Sequence, residues 1–123
     1  MILAHEFVRS KYARDSDFST SDLEVAERSA LVAQFASSDP LEFGRAAEMI
    51  AAWVDGVDLN CGCPQSWAMK EGIGCSLMEQ PEKVAETLGE ARTRMGKGKS
   101  VSCKIRLHKD LKYAKHPRPA HLQ

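Results

Sequence analysis

The chain has 123 residues, 17 Lys and Arg balanced by 17 Asp and Glu, 43% hydrophobic residues and four cysteines. That is enough for one small domain and well short of the ~250 residues of a complete eight-stranded β/α barrel. No run approaches the ~20 apolar residues of a membrane-spanning helix, so a membrane protein of that kind is excluded.

The zero formal charge is uneven. From Arg92 onward there are ten basic residues and one acid, Asp110, whereas the rest of the chain has seven basic and sixteen acidic residues. A basic end can contact phosphate, and a solvated tail is the alternative. Cys61, Cys63, Cys75 and Cys103 contain no Cys-x2-Cys pair of the zinc type. Met1 to Ala4 is too short an apolar run for a targeting core. An intracellular, cytoplasmic chain with reduced thiols is therefore expected.

Met1 to Ala4 reads as the end of a strand that begins earlier. His5 to Arg14 has a weak apolar stripe of Phe7, Val8 and Tyr12 that suits a short helix, and Asp15 to Glu27 is polar and irregular. The nearly unbroken apolar run Ala30-Leu31-Val32-Ala33-Gln34-Phe35-Ala36 predicts a parallel strand covered on both faces, with Gln34 as its one polar residue. Asp39-Pro40-Leu41-Glu42 opens a helix: Asp39 can cap, Pro40 suits the first turn, and Glu42 stands three places after the cap. Phe43, Ala46, Ala47, Ile50, Ala51 and Val54 follow at helical spacing.

Gly56 to Cys61 is the next strand, with Val57, Leu59 and Cys61 on one side and Asp58 and Asn60 on the other. A second helix starts near Pro81, carries Val84, Leu88, Ala91 and Met95 on its apolar face, and ends at Gly96-Lys97-Gly98. From Ser100 to Leu107, Val101, Cys103, Ile105 and Leu107 alternate with Ser102, Lys104, Arg106 and His108, which predicts a last strand. Alternating strands and helices demand a parallel sheet with crossover helices. Beyond Asp110, Pro117 and Pro119 forbid an ordinary helix. Residues 1–111 are thus read as one α/β unit and 112–123 as a divergent, disordered basic tail.

The strand over 56–61 stops at Gly62-Cys63-Pro64. Glycine permits a tight bend and proline cannot donate to a sheet ladder, so a thiol sits on a short stiff loop just past a strand end. Active sites of α/β folds are built there. Gln34, Asn60 and Lys104 lie toward the same ends of three strands. Two amides and an ammonium suit the ring nitrogens and carbonyl oxygens of a flavin.

The run Asn60-Cys61-Gly62-Cys63-Pro64, followed by Gly72-Ile73-Gly74-Cys75-Ser76-Leu77-Met78, resembles the tRNA-dihydrouridine synthases. Their motif reads Asn-x-Gly-Cys-Pro, with a Gly-(Ala/Cys)-x-Leu segment soon after. The longer form from Cys61 to Met69 is similar to the eukaryotic branch acting on tRNA positions 20a and 20b.

The resemblance implies a partial TIM (β/α)8 barrel, roughly strands 3 to 5 with their helices. It implies an oxidoreductase that holds FMN, draws on NADPH or NADH, and reduces the C5–C6 double bond of a D-loop uridine in tRNA. It also implies roles. Cys63 is the catalytic proton donor to C5, a task that suits a thiol because thiols are mostly protonated near neutral pH. Gln34 and Lys104 bind the cofactor. Asn60 lies beside flavin and substrate base, and Arg106, on the face of Lys104, reaches flavin or RNA phosphate. No metal and no membrane are implied.

The family's first barrel strand, its histidine-bearing strand, the late strands whose loops hold the FMN phosphate and its helical tRNA-binding domain are not in this chain. A catalytically inactive truncated isoform without flavin is therefore the alternative, with a thiol redox or metal protein using Cys61 and Cys63 as a third reading. Each residue has a bland alternative as well. Cys63 could be a structural thiol, Asn60 could cap its loop, Gln34 could satisfy backbone groups, and Lys104 could pair with Asp58.

Overall fold

The computed structural model describes residues 1–19 and 29–107. The tail over 112–123 lies outside the described residues. Four parallel strands form one sheet in chain order: β1 (Ile2–Leu3), β2 (Val32–Ala36), β3 (Gly56–Cys61) and β4 (Ser100–Ile105). Successive β/α units of a barrel wall take this order. The expected three strands are joined by β1, the strand end anticipated at Met1 to Ala4. The helices are α1 (Ala4–Arg9), α2 (Lys11–Asp17), α3 (Pro40–Ile50), α4 (Ser66–Lys70) and α5 (Pro81–Met95), with a 3-10 turn over Gly74–Glu79.

Alternation along the strands divides the sheet. Phe35, Val57, Leu59 and Cys61 face α1, α3 and α5 and are fully buried there with Phe43, Ala46, Ala47 and Ala91. Phe35 meets Phe7 and Phe43 edge to face, with ring centroids 5.3 and 6.4 Å apart. Burying each large side chain in this layer contributes about 1.5–3 kcal/mol. The other face holds Gln34, Asp58, Asn60, Ser102 and Lys104. The prediction that the strand over 30–36 is covered on both faces is therefore corrected. Val32 is 48% exposed and Gln34 only half-buried, and on that face only Ala36, at the strand's end, is fully covered, by Ala68 and Ile73.

Register is pinned at the strand starts by Asp55. Its carboxylate accepts from the Leu31 N–H at 2.7 Å, its own N–H donates to the Leu31 carbonyl at 2.8 Å, and its carbonyl accepts from the Ser100 N–H at 2.9 Å. Lys99 Nζ donates to the Val54 carbonyl at 2.7 Å. With β2, β3 and β4 tied at their lower ends, their upper ends come level in a fixed order.

Local details differ from the sequence reading for identifiable reasons. The helix expected over 5–14 is two helices broken at Ser10, which is extended (φ −120°, ψ 117°) and caps α2 by accepting from the Ala13 N–H at 3.2 Å. Helix α2 then runs into the stretch expected to be irregular. Asp39 caps α3 by accepting from the N–H groups of Leu41 and Glu42 at 2.8 and 3.2 Å. The Glu42 carboxylate pairs with Arg9 and so ties α3 to α1. Helix α4 and the 3-10 turn span five and six residues, too few to print a helical period on the sequence.

Helix α5 offers a test of this architecture. Gly89 lies in its middle, exposed, and a Cβ added there meets nothing within 4 Å. Gly89→Ala is expected to stabilise the chain by about 0.5–1 kcal/mol, since helical glycine carries extra backbone entropy. A rise in the urea midpoint without a change in slope checks this, and a fall contradicts it.

Candidate active site

The polar face of the sheet is wired in one line. Ser102 Oγ donates to Asp58 Oδ1 at 2.7 Å, and Gln34 Nε2 donates to Asp58 Oδ2 at 2.8 Å. Asn60 Nδ2 donates to Gln34 Oε1 at 3.0 Å. Asn60 Oδ1 then accepts from the backbone N–H groups of Gly62 and Cys63 at 3.1 and 2.9 Å. The register makes this possible by setting Gln34, Asp58 and Ser102 in one cross-strand row and Asn60 beside Lys104 in the next. Both lone pairs of the Asn60 carbonyl are filled.

The thiol loop is held from its other side by the second motif. Cys75 N–H donates to the Cys63 carbonyl at 2.9 Å, and Cys75 Sγ lies 3.0 Å from the Gly62 carbonyl oxygen, to which it donates. Gly74 makes the approach possible. Its φ is +63°, and a Cβ there would stand 2.6 Å from the Cys63 carbonyl oxygen and 2.9 Å from the Cys63 Cβ. Below the loop, Ala36, Ala68 and Ile73 form a small buried cluster with Leu3 and Cys63 packed on it. Cys63 is half-buried, with its sulfur 3.9 Å from Gln65 Oε1, which accepts from Trp67 Nε1 at 2.7 Å.

Lys104 and Arg106 arrive from β4 on the same rim. A Cβ placed on Gly62 would lie 3.3 Å from Lys104 Nζ and 3.2 Å from Arg106 Cγ, so the side chains close directly over the glycine beside the thiol. The alternative pairing of Lys104 with Asp58 does not occur, because Asp58 is occupied by Gln34 and Ser102. Among the described residues no carboxylate lies within ion-pair distance of Lys104. The loop-capping alternative for Asn60 is realised. Cys63, Asn60, Gln34, Lys104 and Arg106 are thus gathered at one edge of the sheet, which brings a thiol loop, two amides and two cations together.

Comparison with known proteins gives the family. The family model for dihydrouridine synthases (Dus) matches residues 1–119. The chain belongs to the dihydrouridine synthase family. It is 41% identical over 116 residues to the tRNA-dihydrouridine(20a/20b) synthase [NAD(P)+] of Schizosaccharomyces pombe, covering 94% of this chain and 34% of that protein. It is 43% identical over 113 residues to the human tRNA-dihydrouridine(20a/20b) synthase [NAD(P)+]-like protein, covering 91% and 34%. The Saccharomyces cerevisiae tRNA-dihydrouridine(20a/20b) synthase [NAD(P)+] is 34% identical over 111 residues, covering 90% and 29%. The chain spans about a third of the length of these relatives.

Within this dihydrouridine synthase chain, the sequence reading passed over Asp58, Ser102 and Gln65 as parts of the site. Asp58 and Ser102 share the strand parity of Asn60 and Lys104, which was visible, but the register that brings them together was not. Cys61 and Cys63 do not share a site. Cys61 is buried on the helix side with Cys103 packed against the same cluster, while Cys63 packs on Ala36, Ala68 and Ile73. The neighbouring Cys103 sulfur and burial push the Cys61 thiol up, and the adjacent Cys61 thiol pulls Cys103 down to about 7. No helix among the described residues is long and apolar enough to cross a membrane.

Proposed function

We propose that this chain carries the thiol-bearing segment of a flavin-dependent tRNA-dihydrouridine synthase of the 20a/20b type, acting with NADPH or NADH. The observation that supports it is the hydrogen-bonded line from Gln34 through Asn60 to the Cys63 loop, with Lys104 Nζ closed over Gly62. The donor set fits FMN. The pyrimidine edge of an isoalloxazine ring presents acceptor oxygens, and this rim offers the half-buried amide of Gln34, the amide of Asn60 beside it, and an ammonium without a carboxylate partner among the described residues.

Bound here, FMN would supply a hydride. The chain's own residues do the rest. Lys104 holds negative charge at the ring edge, Gln34 orients the ring, and Asn60 fixes the thiol loop. Cys63 gives its Sγ proton to C5 of the uridine. Arg106, exposed on the same face, steadies a phosphate of flavin or RNA. The uridine must leave its stack to reach this edge, since neither face of a stacked base is open to a ring.

The test starts with the purified chain, FMN and tRNA. Retained yellow flavin and dihydrouridine formed in the presence of a reduced nicotinamide would support full activity of the chain by itself. Lys104→Met should weaken FMN binding about tenfold, the usual cost of one charge-assisted hydrogen bond. Colourless, inert protein, unchanged by that substitution, would instead identify a non-catalytic member of the family.

A further inference from the structure

We infer that Asp58, which touches neither the thiol nor its loop, is a positioning residue that sets the direction of the hydrogen bonds holding Cys63 in place. The inference deepens the role proposed for Cys63 and rests on that reading for its consequence, but not for its geometry.

The argument is one of donors and acceptors. Primary amides such as Gln34 and Asn60 can turn end for end at their last torsion with little change in shape, which exchanges C=O for NH2. The two N–H groups of Gly62 and Cys63 can be satisfied only if Asn60 points its oxygen at them. With its oxygen so used, Asn60 turns its NH2 to Gln34, and that hydrogen bond alone holds the far amide from the loop side.

Asp58 does. An ionised carboxylate only accepts, and both its oxygens are used, one by Ser102 Oγ at 2.7 Å and one by Gln34 Nε2 at 2.8 Å. Gln34 must therefore turn its NH2 toward Asp58 and its oxygen toward Asn60. Asn60 must then spend an N–H on Gln34 and turn its oxygen to the loop. A flip at either amide would set donor against donor or acceptor against acceptor in a half-buried line, where unsatisfied polar groups are costly. The carboxylate thus works as the fixed end of a two-amide relay. Its other end is the backbone of the residue that carries the sulfur.

Amide hydrogen exchange of the chain, without flavin, nicotinamide or tRNA, tests this separately from catalysis. In Asp58→Ala, exchange of the Gly62 and Cys63 N–H groups is expected to accelerate about tenfold, with Leu59 and Phe43 unchanged. Asp58→Asn should restore slow exchange to within about threefold. Its carbonyl can still accept from Gln34 while its NH2 donates to the Ser102 hydroxyl. Should the alanine variant fail to fold, Asp58→Leu keeps the side-chain volume without the acceptor and is read the same way. Unchanged exchange at Gly62 and Cys63 in the acceptor-free variant overturns the relay. So does uniform acceleration across the sheet that asparagine does not reverse, which would make Asp58 a general structural residue. Loss of uridine reduction with intact exchange would count against the proposed function and leave the relay standing.

Discussion

Cys63→Ala is expected to lower the rate of uridine reduction by at least about a hundredfold while leaving FMN retention within twofold. A positioned general acid is worth roughly 10²–10⁴ in rate, and the substitution removes the acid alone. The loop itself should persist. The N–H of residue 63 still donates to Asn60 Oδ1 and its carbonyl still accepts from Cys75, because both bonds use backbone atoms. The cations of Lys104 and Arg106 arrive from β4 and do not depend on the sulfur. Dihydrouridine counted per tRNA, beside flavin absorbance after gel filtration, separates the two quantities. Undiminished turnover would contradict the proton-donor role, and loss of flavin together with turnover would mean that the side chain supports the ring rather than the proton. Cys63→Ser sharpens the measurement. A hydroxyl of similar size is a far weaker acid than a thiol, so it should recover shape without recovering rate.

What could be read from the sequence followed from parity and punctuation. Val57, Leu59 and Cys61 alternate with Asp58 and Asn60, and that alternation alone divided the core side from the polar side. Gly62-Cys63-Pro64 could not continue a strand, and it put the thiol at a strand end. The capped start of α3 at Asp39-Pro40 and the apolar face of α5 were equally local, so they were legible too.

What could not be read was the alignment of one strand against the next. Parallel strands are joined by long crossovers, so no turn geometry fixes their register in the sequence. In this chain Asp55 fixes it through contacts to Leu31 and Ser100, residues distant along the chain. Only once that register is known does Gln34 stand opposite Asp58 and Asn60 opposite Lys104. The residues that meet at this strand end were therefore legible one by one, but not their wiring. Lys104 had Asp58 as a plausible partner on charge alone, yet the carboxylate is taken by Gln34 and Ser102, which leaves the ammonium against Gly62.

The second motif brings the other large expected effect. Gly74→Ala should destabilise the chain by about 2–3 kcal/mol. Holding an L-residue at φ +63° costs about 1–2 kcal/mol, and losing the hydrogen bond from Cys75 N–H to the Cys63 carbonyl adds about 1 kcal/mol. The new methyl cannot be absorbed quietly, since its nearest neighbours are the carbonyl oxygen and Cβ of Cys63 at 2.6 and 2.9 Å, one of them backbone. Relief must come from moving the thiol loop, so the alkylation rate of Cys63, followed peptide by peptide, should change along with the urea midpoint. The same added methyl in Gly89→Ala has the opposite sign, because nothing lies near it and the helix is its preferred conformation. The pair therefore controls for the generic effect of adding a methyl group. A Gly74→Ala chain as stable as the parent, with Cys63 equally reactive, would show that the glycine motif does not hold the thiol. If both shift as expected, Gly74 and Asn60 grip the Cys63 loop from opposite sides, one by leaving room and one by filling two N–H groups.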